Sequence, residues 1–245
     1  MNKCLVIIPA YNEEDSIRGV IEGIQSEQLD ADILVVNDGS TDSTEWIARR
    51  CGVSVISHPT NLGYGSSLQT GYKFASLRSY PFIIQFDADG QHDPSTLKVM
   101  MRAIEERDSD IVIGSRFLTE SDIEMNVGHL KRLVTLFFRF VICLLTGTHI
   151  TDTTSGLRAV RYSAYAYYAI RNRFPAEYPD AAFLIQMLFR NYTISEIQTN
   201  MRDRAYGKSA LHGGLKPVFY MPSMMLNILI VFIQYKVVFR VKNNA

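Results

Sequence analysis

Three short acidic segments carry the residue types on which chemistry could be built. Pro9-Ala10-Tyr11-Asn12-Glu13-Glu14, Asn37-Asp38-Gly39-Ser40-Thr41-Asp42 and Asp87-Ala88-Asp89-Gly90-Gln91-His92-Asp93 each follow a run of apolar residues. In the third, two carboxylates one residue apart, on a turn loosened by Gly90, can both face a hard divalent cation. Mg2+ and Mn2+ prefer oxygen ligands and commonly share them with substrate phosphates; Gln91 adds a neutral oxygen nearby. A lone Asp-x-Asp is more often an acidic helix cap, and it is the company of the other two loops that favours the metal. Asp38 can accept hydrogen bonds from a ribose hydroxyl or a base N–H, or stabilise its own loop as an Asx-turn. Asn61-Leu62-Gly63-Tyr64-Gly65, continued by Gly71, is a glycine-bearing entry to a helix. It suits a phosphate cradle at the helix N-terminus and equally a tight, closely packed turn.

These loops need strands and helices to hold them. Short Val- and Ile-rich runs at Cys4–Ile8, Asp32–Val36, Val53–Ser57, Phe82–Phe86 and Asp110–Gly114 read as buried parallel strands. Between them, Ile17, Val20, Ile21 and Ile24, and again Leu97, Met100, Met101 and Ile104, repeat with helical spacing. Asp93 is expected to cap the second of these helices, with Pro94 as its first residue. Strand–helix alternation implies right-handed crossovers and a doubly wound, mostly parallel α/β sheet with helices on both faces. Ligands on such sheets bind at the carboxyl ends of the strands, where the three acidic loops lie. Trp46, at helical spacing, is expected in the core.

Past about Gly128 the texture changes. Leu130–Thr146 sets Lys131, Arg132 and Arg139 among Leu, Phe and Val, which predicts an amphipathic helix over about 129–147, lying in a membrane interface or packed as a core helix. Val218 to Tyr235 is eighteen residues without a charge, roughly 27 Å as a helix. Pro222, Ser223, Asn227 and Gln234 interrupt it, so it could span, lie flat, pack on a membrane partner or be a buried terminal helix. The chain thus divides into 1–210 and an apolar, membrane-associated 211–245, with Lys236, Arg240 and Lys242 favouring the cytoplasmic, anionic side.

Composition sets the bounds. With 245 residues, and 25 Lys+Arg balancing 25 Asp+Glu, the chain can bury a full core but lacks the basic excess of a nucleic-acid binder. Three cysteines far apart, Cys4, Cys51 and Cys143, make neither a disulfide framework nor a metal cluster, as suits a reducing compartment.

The ordered set PAYNEE, NDGSTD, NLGYGSSLQTG, DADGQHDP and GSRF (Gly114–Phe117) resembles the inverting glycosyltransferase family 2, of GT-A fold, over roughly residues 4–210. Asp152-Thr153-Thr154-Ser155-Gly156-Leu157-Arg158, then Met201-Arg202-Asp203-Arg204 and Gly207-Lys208-Ser209, resembles one branch of it, the polyprenyl-phosphate sugar synthases, which includes dolichyl-phosphate mannose synthase. The resemblance implies that Pro9, Tyr11, Glu13, Asp38 and Asp87 hold the nucleotide of a UDP- or GDP-sugar. It implies that Asp87, Asp89 and Gln91 bind Mg2+ or Mn2+ and, through it, the diphosphate. Arg116, with Lys131 or Arg132, Thr135 and Arg202, would hold the acceptor phosphate. Asp89 and Asp180 are the candidate catalytic carboxylates. Where relatives often show Tyr-Pro-acid-x-acid, this chain has Tyr178-Pro179-Asp180-Ala181-Ala182, so Asp180 stands alone there.

That departure bears on the acceptor. A sugar hydroxyl needs a general base, worth about 10²–10⁴-fold. A phosphate monoester, with a second pKa of about 6, is already mostly anionic at pH 7 and needs positioning instead. The expected function is transfer of one sugar to a polyprenyl phosphate at the cytoplasmic membrane face, alone, as a homo-oligomer or with a small membrane-protein partner. Transfer to a glycan hydroxyl, and a catalytically silent sugar-nucleotide-binding subunit, are the alternatives.

Overall fold

A computed structural model describes residues 4–118, 129–170, 180–199 and 216–235. The first half builds strands β1 (Cys4–Ala10), β2 (Ala31–Asn37), β3 (Ser54–Ser57), β4 (Phe82–Gln85) and β5 (Ile111–Ser115) at the five expected runs. Helices α1 (Ile17–Ser26), α2 (Thr44–Arg50), α3 (Tyr64–Leu77) and α4 (Thr96–Glu106) alternate with them. The second half adds α5 (His129–Thr146), β6 (Arg158–Arg161), α6 (Tyr162–Ala169), α7 (Asp180–Phe189), β7 (Ile194–Gln198) and α8 (Lys216–Ile233). The sheet order is β3-β2-β1-β4-β6-β5-β7, parallel but for β6, which runs antiparallel to both β4 and β5.

Side chains alternate across the sheet, so each central strand feeds two cores. Val6, Ile8, Val35, Ile84 and Val112 pack with Ile17, Ile21, Ile24, Leu97, Met100 and Ile104 of α1 and α4. Leu5, Ile7, Leu34, Ile83 and Ile113 point to the opposite core, closed by Leu68 and Tyr72 of α3, Tyr165 and Tyr168 of α6, and Phe183 of α7. The double burial is why β1 reads as an unbroken apolar run.

Three details depart from expectation. Helix α4 starts at Thr96 with Ser95 at its N-cap, and Asp93 caps the turn just before it, its side chain accepting the Ser95 amide (3.1 Å) and hydroxyl (2.9 Å). Trp46 is 58% exposed: α2 is a short peripheral helix that buries Thr44 and Ala48, leaving the indole outside with the Arg50 guanidinium over it at 4.8 Å. The C-terminal stretch is helix α8, which docks on α7 and buries Met224, Ile228 and Val231 in the core. Among the described residues no helix is long and apolar enough to cross a membrane.

Helix α5 is two-faced. Thr135, Phe138 and Ile142 are buried, whereas Leu136, Phe137, Phe140 and Leu144 are exposed. On α8, Leu226, Leu229, Ile230 and Ile233 are also exposed, leaving a second apolar surface beside that core.

Candidate active site

β1 and β4 are neighbours in the sheet, and a crevice is expected at their carboxyl ends, where the strand order reverses. The Phe86 amide donates to the Ile7 carbonyl (3.0 Å). Two residues on, Pro9 has no N–H with which to continue that ladder. Pro9 itself is buried within β1, while Tyr11, just beyond, is 45% exposed at the rim. The first two acidic loops are laced together: Asn12 Oδ1 accepts the Thr41 amide (2.8 Å), the Glu13 amide donates to Thr44 Oγ1 (2.8 Å), and Glu14 Oε2 accepts the Ser43 amide (2.9 Å). Glu13 also accepts the Ser16 hydroxyl at 2.8 Å. Much of PAYNEE and NDGSTD is therefore spent on holding the two loops in register.

Asp38 is buried and holds a third loop. Its Oδ1 accepts the Leu62 amide (2.9 Å) and faces His58 Nδ1 (2.7 Å), and its Oδ2 accepts the Gly63 amide (2.8 Å). His58 Nε2 meets the Thr70 hydroxyl at 2.8 Å. Both ring nitrogens of His58 are thus engaged, one by the Asp38 carboxylate and one by a hydroxyl. Gly39 permits this closure: its φ is +68°, and a side chain there would meet the Thr60 backbone. Asp38 thus ties β2 to the glycine-bearing entry of α3, as an inter-loop anchor more than an isolated Asx-turn.

Asp87 and Asp89 follow β4 on the turn that Gly90 closes at φ +73°. The Tyr64 hydroxyl, from the first residue of α3, donates to Asp87 Oδ1 at 3.0 Å. Loss of hydration, then the Asp87 and Asp180 charges, raise the Tyr64 phenol well above its ordinary value, so it remains a donor. The Gln91 amide donates to Asp89 Oδ1 at 3.0 Å. His92 is buried against Phe86 with Nε2 3.8 Å from Asp87 Oδ2, and its Nδ1 has no partner among the described residues. Burial lowers its pKa against the pull of Asp87 and Asp89.

Across the crevice, Arg116 is committed to Asp152. Nε and Nη2 reach the two carboxylate oxygens at 2.6 and 2.8 Å, Nη2 also donates to Thr154 Oγ1 (2.9 Å), and the Arg116 amide adds a 3.1 Å bond. Burial would raise the Asp152 carboxyl, but the Arg116 bonds and charge and the Thr154 amide outweigh it and hold the group below its usual value. Glu196 of β7 fixes this turn by accepting the Thr151 amide (2.7 Å) and hydroxyl (2.8 Å) and the Asp152 amide (2.9 Å). Arg139 of α5 donates to the Thr151 and Phe117 carbonyls, and Thr135 lies buried one turn earlier. Asp180 opens α7 and pairs at 3.5 Å with the buried Arg158, whose Nε has no partner among the described residues.

Of the expected residues, Asp87, Asp89, Arg116 and Asp180 gather at one end of the sheet: the charges of Asp87, Asp89, Arg116 and Asp152 all act on His92, and those of Asp87 and Asp180 on Arg116. Arg202 and the side chains of Lys131 and Arg132 lie outside the described residues. Tyr64, Asp152, Gly156, Arg158 and Glu196 had no assigned role in the sequence. Tyr64 was signalled by its place between two glycines, and Asp152, Gly156 and Arg158 by a motif; Glu196 had no signal, because its partners lie some 45 residues away.

Asp87 and Asp89 are hard oxygen donors suited to Mg2+ or Mn2+. Among the described residues no group of three or more His, Cys, Asp or Glu gathers to hold a metal. An ion held by Asp87 and Asp89 would complete its shell with water and substrate phosphate, as these hard cations do.

A sheet of this order with an acidic crevice at its strand ends is the GT-A architecture, and residues 5–168 match the model of glycosyl transferase family 2. The chain belongs to that family and is a glycosyltransferase. It is 29% identical over 222 residues to an undecaprenyl-phosphate mannosyltransferase of Micrococcus luteus, covering 87% of this chain and 89% of that one. It is 34% identical over 176 residues to a UDP-N-acetylglucosamine--dolichyl-phosphate N-acetylglucosaminyltransferase of Methanococcus voltae, covering 65% and 69%. Among solved structures, glucosyl-3-phosphoglycerate synthase from Mycobacterium tuberculosis, in complex with Mn2+, uridine diphosphate and phosphoglyceric acid, shares the fold with a TM-score of 0.65 at 17% identity, covering 96% of this chain and 78% of that one.

Proposed function

We propose that the protein transfers a single sugar, with inversion, from a UDP- or GDP-linked donor to a polyprenyl phosphate of the dolichyl or undecaprenyl kind, at the cytoplasmic face of the membrane. The observation that carries this is the double character of α5. Arg139 ties it to the Phe117 and Thr151 carbonyls beside Arg116, while Leu136, Phe137, Phe140 and Leu144 remain exposed. An acceptor that begins in hydrocarbon and ends in phosphate needs an apolar landing surface directly beside a cation, and α5 joins the two. The named relatives support the acceptor class, since each acts on a polyprenyl phosphate. The Mn2+ and uridine diphosphate of the solved neighbour support the donor and cofactor.

In this reading Tyr11 offers its exposed ring to the nucleoside, with Pro9 and Glu13 beside it. Asp38 serves through the 61–64 loop that it anchors. Asp87 and Asp89, with Gln91 nearby, hold Mg2+ or Mn2+, which when bound neutralises charge growing on the departing diphosphate. Arg116, with Thr135, Lys131, Arg132 and Arg202, receives the acceptor phosphate; Asp152 already takes Nε and Nη2, leaving Nη1 for it. The phosphate oxygen forms a bond to the anomeric carbon as the bond to the nucleoside diphosphate breaks on the opposite side. No proton need move, because the acceptor is already an anion. Asp180, engaged by Arg158, then contributes charge and position and not base catalysis.

Incubating the protein with polyprenyl phosphate, Mn2+ and labelled UDP- or GDP-sugars tests this. Label in an organic-soluble, mild-acid-labile product supports the proposal. Label found in oligosaccharide alone points to a glycan hydroxyl, and tight donor binding without transfer to any acceptor points to a silent binding subunit.

A further inference from the structure

In the antiparallel ladder between β4 and β6, Gln85 stands opposite Arg158. Two residues further along the same register, Asp87 faces Gly156. A Cβ on Gly156 would lie 2.3 Å from Asp87 Oδ2 and 2.9 Å from both Oδ1 and Cγ, inside any allowed contact. The backbone does not impose this glycine, because Gly156 is not among the residues in the left-handed region. What fills the space is the Asp87 carboxylate. Its other oxygen is held from α3, where the Tyr64 hydroxyl donates to Oδ1 at 3.0 Å.

We infer that Gly156 and Tyr64 are positioning residues for Asp87: the missing side chain before β6 admits the carboxylate and the phenol on α3 fixes it, aiming Asp87 at a divalent cation shared with the donor's diphosphate. This rests on the reading of Asp87 as a metal ligand. The atoms that a methyl group at position 156 would strike belong to the end of a side chain and not to the main chain. The fold can therefore absorb Gly156→Ala by rotating Asp87 away, and the damage falls on the site. Groups that orient metal-ligating side chains typically alter metal affinity about 10–100-fold when lost.

The test follows free Mn2+ by electron paramagnetic resonance in titrations of the whole chain with saturating UDP, repeated with GDP. Gly156→Ala should weaken Mn2+ binding about 10–100-fold and Tyr64→Phe by a smaller factor, with melting temperatures close to wild type. In an Asp87→Ala background Gly156→Ala should cause no further loss, since its effect runs through that carboxylate. Unchanged Mn2+ affinity in Gly156→Ala, or an equal loss in both backgrounds, overturns the inference while leaving the metal site standing. Tyr64→Phe removes one hydroxyl and decides the matter if the alanine variant does not fold: unaltered affinity there also counts against it. Wild-type protein that holds no Mn2+ with either nucleotide overturns the metal reading itself, and this inference with it.

Discussion

Arg116 and Asp152 meet through two short charge-assisted bonds, with the Asp152 side chain wholly buried and that of Arg116 15% exposed. Removing one partner of a buried pair strands the other charge, typically at a cost of about 3–5 kcal/mol. Arg116→Ala should therefore lower stability in urea by about that amount, and adding Asp152→Asn should recover most of it. The recovered double variant should still need far more lipid acceptor than wild type at unchanged donor affinity; normal acceptor use would remove Arg116 from the acceptor site. Because the Asp152 carboxyl is depressed in the fold, its contribution is fully present above its ordinary 3.8 and is lost as pH falls through the lower folded value. Acid melts should show that loss in wild type and not in Asp152→Asn. Asp89→Asn, by contrast, should cut turnover about 10²–10³-fold with the melting temperature preserved. Turnover within a few-fold of wild type would take Asp89 out of the chemistry.

At the level of elements, α5 is the part whose position does most for the proposed reaction. Phe140 is 64% exposed and Leu144 70%, so glutamate at both should leave the core untouched. Co-sedimentation with vesicles containing anionic lipid should fall at least about tenfold in Phe140→Glu/Leu144→Glu, since interfacial binding scales with buried apolar area. Equal pelleting would show that this face is not the membrane contact. The elements also differ in how readable they were. β1, β2 and β4 are buried on both faces and announce themselves as Val/Ile runs. β6 has two apolar residues between arginines and β7 reads Ile-Ser-Glu-Ile-Gln at the sheet's edge, so neither stands out locally. Both form strands because the neighbouring β4 and β5 offer unpaired backbone along the sheet.

Over the whole molecule, the crevice draws on loops after β1, β2, β4 and β5, on the turn leading into β6 and on α7. In the proposed reading the cation shares the donor's diphosphate, so nucleotide and cation should reinforce each other. Thermal shifts should be small with Mn2+ alone, modest with UDP or GDP alone, and larger than the sum with both. Ligand at about 100 times its dissociation constant stabilises the folded state by about 2.7 kcal/mol. Strictly additive shifts would indicate that cation and diphosphate do not share ligands.

The residue order along the chain was enough for the α/β sheet, its strand-end loops, the acidic crevice and the family, because each is written in local period and contiguous motif. Which carboxylates are already spoken for was decided by the tertiary structure. Asp38 anchors a loop about 24 residues away, Asp152 neutralises an arginine 36 residues before it, and Glu196 braces that turn across 45. Such partnerships depend on strand order and register, which bring distant polar groups out of water together. A one-dimensional pattern carries no term for that. The same holds for α8, whose composition suits a bilayer, but whose burial against α7 follows from a neighbouring surface that exists once the chain has folded.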